Sequence, residues 1–277
     1  MASLWLLALA IVGLIAKHHH VEGYRKCVVE RTRNNQRVTN HVGGVMMAFN
    51  NDATNNVVVR EAANNDITNV AKFLSVSMYA NDPIPVGQQK ELYRLEFQDL
   101  KSRYSALAAV KGFYSSLLIA EISGEIVGVV GLDCQILNRE LKKFKKLTVN
   151  SLAYLDNDEE EIVIVLANLA VGADQRRKGV GKLLLQKCEA YAKSYIGTSN
   201  QGQIDNASIY LTVDSENQKA IKLYKKNGYK VVFEDENATC VVSGEYSLQT
   251  KECVNLCMKK AIGNRSGNLF GGLFSIF

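Results

Sequence analysis

Residues 168–193 read NLAVGADQRRKGVGKLLLQKCEAYAK. An apolar run ends at Val171. A turn carrying Arg176, Arg177, Lys178, Gly179 and Gly181 follows, and an amphipathic helix opens out of it. Such a turn leaves several backbone N–H groups without intrahelical partners and aims them outward, at the positive end of the helix dipole. That is an anion cradle, and a diphosphate suits it. The spacing excludes two other phosphate loops. A P-loop needs two glycines further apart, followed by Lys-Ser/Thr. The dinucleotide fingerprint needs one more glycine and an acidic residue at a set offset.

Outward from this turn, residues 162–171 are apolar except for Asn168 and predict a strand buried on both faces. The helix after the turn carries Val180, Leu184, Cys188 and Tyr191 on one stripe, with Leu183 beside it. Residues 208–213 predict another buried strand. A short helix over 217–227 is ended by Gly228, a good left-handed residue beyond a helix end. Strands at 229–234 and 254–259 complete this half, joined by a long polar excursion. Upstream, 57–60 predicts a short strand, and Asn64, Asn65 and Asp66 a turn that caps a helix from Ile67. That helix carries Ile67, Val70, Ala71 and Leu74 at helical spacing. A second helical stretch, 89–110, places Leu92, Leu95, Glu96, Leu100 and Leu107 roughly on a face. Residues 116–122 and 125–132 predict a hairpin about Ser123 and Gly124.

The segment 139–161 is a loop of opposite charges. Arg139, Lys142, Lys143, Lys145 and Lys146 face Asp156, Asp158, Glu159, Glu160 and Glu161 in sequence. A solvated face is the plain reading, and an entrance loop that steers a charged substrate is the sharper one. A net charge of +5 over 277 residues does not by itself point to nucleic acid, which needs basic residues clustered on one face. The six cysteines, at 27, 134, 188, 240, 253 and 257, lack zinc-site or disulfide-framework spacing and read as reduced packing residues.

Two motifs then carry a resemblance. Arg176-x-x-Gly179-x-Gly181 resembles the acetyl-CoA pyrophosphate loop, Arg/Gln-x-x-Gly-x-Gly/Ala, of the GNAT superfamily of N-acetyltransferases. One strand and one helix later, Asn217-x-x-Ala220-x-x-Leu223-Tyr224-x-x-x-Gly228-Tyr229 resembles that family's second element. The element order over residues 57–260 is also the family's order. The resemblance implies an α/β (α+β) fold: a mixed, mostly antiparallel sheet flanked by helices and splayed between two strands that hold CoA. It implies acetyl-CoA as co-substrate, with no metal and no nucleic acid as partner. Leu169, Ala170 and Val171 would pair with the pantetheine amides. The backbone of Arg176, Arg177, Lys178, Gly179, Val180, Gly181 and Lys182 would hold the pyrophosphate, with the three cations adding attraction. Asn217 would contact the cofactor, and Tyr224 would sit near its sulfur.

Attack of an amine on a thioester needs a base, an acid for the leaving thiolate and a donor for the oxyanion. Tyr224 is the acid candidate, with simple packing as its alternative. A backbone N–H within 169–171 is the expected oxyanion donor. Glu161 is a candidate base through water, and otherwise part of the acidic loop. Asp214 is another candidate, and helix-capping residues look the same in sequence. The segment 92–107 loosely resembles the helix preceding the hairpin in plastid members of the superfamily, which act on protein N-termini and lysines. The leading expectation is therefore acetylation of protein α-amines and lysines. A small-amine acetyltransferase (polyamine or amino acid) and a non-catalytic acyl-CoA sensor are the alternatives.

The first 56 residues read as a separate leader. The apolar run from Leu4 to Ala16 is short for a membrane span, which needs about 20 residues. It matches a signal-peptide core or a marginal anchor. A basic stretch with Arg25, Lys26, Arg31, Arg33 and Arg37 follows, as in transit peptides. The pair resembles the bipartite leader of proteins sent to complex plastids. The alternative is an anchored or endomembrane protein, touching the membrane only through Leu4 to Ala16. His18, His19 and His20 read as incidental. The tail, 261–277, is rich in Gly and Phe, and its sequence assigns it no role.

Overall fold

A computed structural model describes residues 56–79, 84–104, 113, 115–155, 158–198 and 204–262. The leader expected over 1–56 and the tail over 261–277 lie outside these, apart from Asn56, Ala261 and Ile262. So does the stretch 105–110 expected to continue the second helix.

Strand β1 (Val58–Glu61) leads through a 3-10 turn (Asn64–Asp66) into helix α1 (Ile67–Ser77). The Asp66 carboxylate accepts from the Ala63 N–H at 2.7 Å and so closes that turn. The buried face of α1 holds Ile67, Val70, Ala71 and Leu74, as the periodicity predicts. Helix α2 (Val86–Tyr104) follows. Strands β2 (Ser115–Ile122) and β3 (Glu125–Asn138) form the expected hairpin, with Ser123 and Gly124 both at positive φ in its turn.

The charged segment is more ordered than a loop. It contains β4 (Lys143–Lys146), paired antiparallel to the end of β3, and a one-turn helix α3 (Val149–Ala153) capped by Thr148. Its opposite charges meet each other: Arg139 lies 3.1 Å from Glu161, and Lys145 lies 2.6 Å from Glu160. A run of mixed charge hid a strand because its side chains are partnered across the sheet edge rather than alternating apolar and polar.

Strand β5 (Glu160–Val171), helix α4 (Val180–Thr198), strand β6 (Ile204–Asp214), helix α5 (Gln218–Lys226), and strands β7 (Lys230–Ser243) and β8 (Leu248–Ala261) complete the chain. The strand order is β1-β2-β3-β5-β6-β8-β7, with β4 beside β3. Every pairing is antiparallel except β5 with β6. The excursion expected between the last two strands is instead their continuation. The two strands form one long hairpin that turns at residues 244–247, and β8 runs past the end of β6, whose pairing stops at Asp214 opposite Asn255. A ribbon that projects beyond the sheet, met at its tip by the start of α2, buries little apolar surface, so its polar composition looks like a loop's.

Helix α4 covers one face of the sheet through Val180, Leu184, Leu185, Cys188 and Ala192, packed on Leu118, Val130, Leu132, Ile162, Ile164, Leu166, Ile209 and Leu211. Leu185 and Ala192 are buried where the sequence pattern favoured Leu183 and Tyr191. Helices α1 and α2 cover part of the other face over Leu117, Ile119, Val129 and Ala170. Of the cysteines, Cys134, Cys188 and Cys257 are buried, Cys240 and Cys253 are half-buried, and all five are free thiols. Cys27 lies outside the described residues.

Candidate active site

The sheet opens at one place. Strands β5 and β6 stay paired to Leu166 opposite Leu211, and no pairing joins them beyond. Strand β5 continues along β3 on its other side as far as Val171 opposite Gly128. The backbone of residues 167–171 that faces β6 is therefore without a ladder partner. The burial of β5 loosens at the same point: Ile162 through Leu166 are buried, whereas Ala167, Asn168, Leu169 and Val171 are partly exposed.

A bulge sharpens the break. Gly131 pairs Ala167 and Val129 pairs Ala170, so Asn168 and Leu169 together oppose one residue of β3. Asn168 takes φ +56, a left-handed conformation that Asn tolerates better than most residues. Its Nδ2 is buried with no hydrogen-bond partner. A buried donor of this kind is costly unless something supplies an acceptor. The sequence offered one signal for it, a lone Asn inside an apolar strand.

The basic glycine turn after β5 stands at the mouth of this opening. After the 3-10 turn Ala173–Gln175, Arg177 (φ +67) and Gly179 (φ +92) are left-handed. Alternating handedness of this kind curls successive N–H groups toward one side. Only glycine takes φ +92 without strain. The Gly179 carbonyl accepts from the Leu183 N–H at 3.0 Å, so Gly179 caps α4. The N–H groups of Val180, Gly181 and Lys182 are then the first-turn donors without intrahelical acceptors. Arg177 and Lys178 are exposed beside them. Arg176 is differently placed. Its Nε donates to the Val171 carbonyl at 3.0 Å and its Nη2 to the Ser77 carbonyl at 2.7 Å. It braces the turn against the ends of β5 and α1, so those two donors are spent within the protein.

Helix α5 closes the other side. Asn217 is its cap: the Asn217 Oδ1 accepts from the Ala220 N–H at 3.1 Å. A methyl group on Gly181 would stand 3.5 Å from Leu223 of α5 and 3.6 Å from Val171 of β5, which fixes how closely the three elements converge. Tyr224, one residue on, is buried, and its ring stands edge-on to Tyr229 with centroids 5.9 Å apart. Its hydroxyl makes no hydrogen bond among the described residues. Burial, and next the nearby Cys188 thiol, raise its pKa well above the ordinary phenol value, so it carries its proton at neutral pH.

The two acidic candidates are engaged within the protein. Glu161 lies seven residues before Asn168, about 23 Å along the strand at 3.3 Å per residue. Its carboxylate is held by Arg139 at 3.1 Å and by the Tyr210 hydroxyl at 3.4 Å, so the structure does not bring it to the opening. Asp214 shapes the turn before α5, with its Oδ1 accepting from the Glu216 N–H at 2.9 Å. Among the described residues no group of three His, Cys, Asp or Glu side chains could hold a metal ion.

A mostly antiparallel sheet that parts between two parallel strands, with an amide-lined turn at the gap, is the frame of an acyl-transferring enzyme. The chain belongs to the acetyltransferase (GNAT) family, whose model matches residues 79–229, more than half of its length. It is an acetyltransferase, and acetyl-CoA is its acetyl donor. No curated protein matches the chain. Among solved structures it is similar to an acetyltransferase of the GNAT family from Streptococcus pneumoniae, at 19% identity over 75% of this chain and 99% of that one, with a TM-score of 0.44. It is also similar to the ribosomal-protein-S18-alanine N-acetyltransferase from Escherichia coli, at 15% identity over 77% and 99%, with a TM-score of 0.46. NAA60 of Arabidopsis thaliana in complex with acetyl-CoA is a third, at 16% identity over 74% and 98%, with a TM-score of 0.44.

Proposed function

We propose that the protein transfers acetyl from acetyl-CoA to primary amines, protein N-terminal α-amines and lysine ε-amines first among them, with Tyr224 as the acid for the departing thiolate. The observation that carries this reading is the gap beyond Leu166 and Leu211 with the start of α4 at its mouth. In this reading the pyrophosphate lies on the N–H groups of Gly179, Val180, Gly181 and Lys182, with Arg177 and Lys178 as the cations beside it. The unpaired edge of Leu169, Ala170 and Val171 takes the pantetheine amides as a neighbouring strand would. The orphaned Nδ2 of Asn168 supports the fit, because a ligand carbonyl in the gap supplies the acceptor it lacks.

Tyr224 suits a proton donor: it is neutral, its hydroxyl is unengaged, and it lies on the helix that closes the gap. A positioned acid is worth about 10²–10⁴-fold in rate. The choice of a cationic protein amine as acceptor is supported by Glu96 on α2, a carboxylate without a hydrogen bond or ion pair among the described residues, while Asp99 and Asp133 are held by Arg103. The test is incubation of the full-length protein with acetyl-CoA and three acceptor sets: a peptide library with free α-amines and lysines, polyamines, and amino acids. Acetylated peptides by mass spectrometry are the expected product. Acetylation confined to the small amines replaces the acceptor, and tight acetyl-CoA binding with no product in any set leaves a sensor.

A further inference from the structure

Helix α2 is pinned at both ends. At its start, the Gln88 Nε2 donates to the Gly244 carbonyl at 2.7 Å, and its Oε1 accepts from the Ser243 hydroxyl at 2.9 Å, on the tip of the β7–β8 hairpin. At its end, Tyr104 lies on Gly131 of β3 so closely that a Cβ there would overlap the ring. Arg103 Nη1 also reaches Asp133 of β3 at 3.2 Å. The strands between these anchors in the sheet order are β5 and β6. Asp133 pairs Val165 and Gly131 pairs Ala167, so the C-terminal anchor stands level with the point where β5 and β6 part. The N-terminal anchor lies on the part of the hairpin that projects past the end of β6. The middle of α2 therefore crosses the gap on the face opposite α4.

The inward stripe of α2 is Gln88, Leu92, Glu96 and Leu100, four residues apart each time. Gln88, Leu92 and Leu100 are buried. Glu96 is the charge in the middle of this stripe. The neighbouring charges on the helix are already engaged, since Arg103 holds Asp99 at 2.8 Å as well as Asp133. Glu96 has no hydrogen bond or ion pair among the described residues. Tyr79, two residues beyond α1, stands near it: burial, then the charge of Glu96, then Cys240 of β7 push the Tyr79 phenol up to about 12.

We propose that Glu96 is the base that takes the proton from the acceptor ammonium, a role that rests on the acetyl transfer proposed above. The carboxylate removes one proton from R–NH₃⁺ and passes it to water. The neutral nitrogen attacks the thioester carbon, forming the C–N bond as the C–S bond breaks. Sulfur takes the phenolic proton of Tyr224, and the proton that the nitrogen sheds on becoming an amide restores the phenol. Acetyl-CoA and the ammonium thus become acetamide, free CoA thiol and one proton in water. The surroundings suit the task. Burial first, then the charge of Asp99, push the Glu96 carboxyl up to about 7, with Arg103 opposing them. A base poised there is half-ionised near neutral pH, where it accepts a proton readily.

The experiment compares full-length wild type, Glu96→Gln and Glu96→Asp with acetyl-CoA and the peptide library, measuring kcat/KM from pH 5.5 to 8.5 and acetyl-CoA affinity by calorimetry. Wild-type kcat/KM is expected to rise through about pH 7. Glu96→Gln is expected to lose at least about 100-fold and the pH-dependent limb, with acetyl-CoA affinity within about threefold. Glu96→Asp is expected to recover part of the rate and to keep the limb. A Glu96→Gln enzyme within threefold of wild type with an unchanged limb overturns the role of Glu96 and leaves acetyl transfer standing. Loss of acetyl-CoA affinity in step with rate also overturns it, because a base acts after the donor is bound. A wild type that binds acetyl-CoA and acetylates nothing overturns the acetyl transfer itself and the base with it. Melting at pH 8 separates misfolding from chemistry. The folded state favours the protonated carboxyl, so Glu96 weakens the fold as pH rises from about 4.5 through about 7, and Glu96→Gln is expected to melt no lower than wild type there.

Discussion

Tyr224 joins a packed ring to a hydroxyl that makes no hydrogen bond among the described residues, as do Tyr104 and Tyr229. Its ring is packed against Tyr229 and the α4 cluster, and its hydroxyl has no protein partner among the described residues. A buried tyrosine whose hydroxyl is idle gains nothing in stability from that oxygen, since desolvation is not offset by a hydrogen bond. Tyr224→Phe is therefore expected to leave the melting temperature unchanged or slightly raised. If the phenol protonates the leaving sulfur, turnover falls by about 100-fold while acetyl-CoA affinity stays within about threefold. Steady-state kinetics with calorimetry on the same preparation check both, and an unchanged turnover removes Tyr224 from the mechanism. Residues at this scale were legible to differing degrees. Tyr224 and the glycines stood out because their spacing fits one backbone shape. Glu96 was visible as a charge on an apolar stripe, yet nothing in sequence said what the stripe faces. The inward role of Arg176 was hidden, because the carbonyls it braces, at Val171 and Ser77, are 5 and 99 residues away.

At the level of elements, the turn between β5 and α4 depends on two left-handed residues, and Gly179 is the one that no other residue replaces without strain. A Cβ at φ +92 costs about 1–2 kcal/mol locally, and the turn relieves it by rotating the very N–H groups that form the cradle. Gly179→Ala is thus expected to weaken acetyl-CoA binding by about tenfold while lowering the melting temperature by only a few degrees. Calorimetric titration with acetyl-CoA checks the first, and an unchanged affinity shows that the cradle tolerates the side chain. Helices with a single covered face were readable from periodicity, which is why α1 and α5 lie where their patterns predict, and the β2–β3 hairpin was readable from its apolar strands and its Ser123-Gly124 turn, although β3 runs on to Asn138. The far half of the β7–β8 ribbon was not, since it lies past the end of β6 and, among the described residues, only the start of α2 and the turn after α1 touch it. The pin between Gln88 and the ribbon tip joins residues more than 150 positions apart, beyond the reach of any local pattern.

On the scale of the whole molecule, the gap divides the sheet unequally. Beyond Leu166 and Leu211, strands β1, β2, β3 and β5 lie on one side and β6, β7 and β8 on the other. There the two sides are joined by helices rather than by strand hydrogen bonds: α4 spans both from one face through Leu184 and Leu185, and α2 does so from the other. A pantetheine arm lying in the gap supplies the missing hydrogen bonds to both edges at once, so its binding ties the halves together as well as filling a site. A ligand that binds only the folded form stabilises it by RT ln(1 + [L]/Kd), about 2.7 kcal/mol at a hundredfold excess over Kd. For a domain of this size that corresponds to a rise of about 5–10 °C in melting temperature. Hydrogen exchange locates the effect: amides of Leu169 and Val171 on β5 and of Thr212 on β6, which alternate away from β3 and β8, are expected to slow together when acetyl-CoA is added. Protection limited to the turn at residues 176–182 means that the ligand is held by its phosphates alone, and it rules out the gap as the seat of the pantetheine. The paired response requires the N–H groups on both strand edges to lack ladder partners in the absence of ligand, and the register that stops at Leu166 opposite Leu211 provides that.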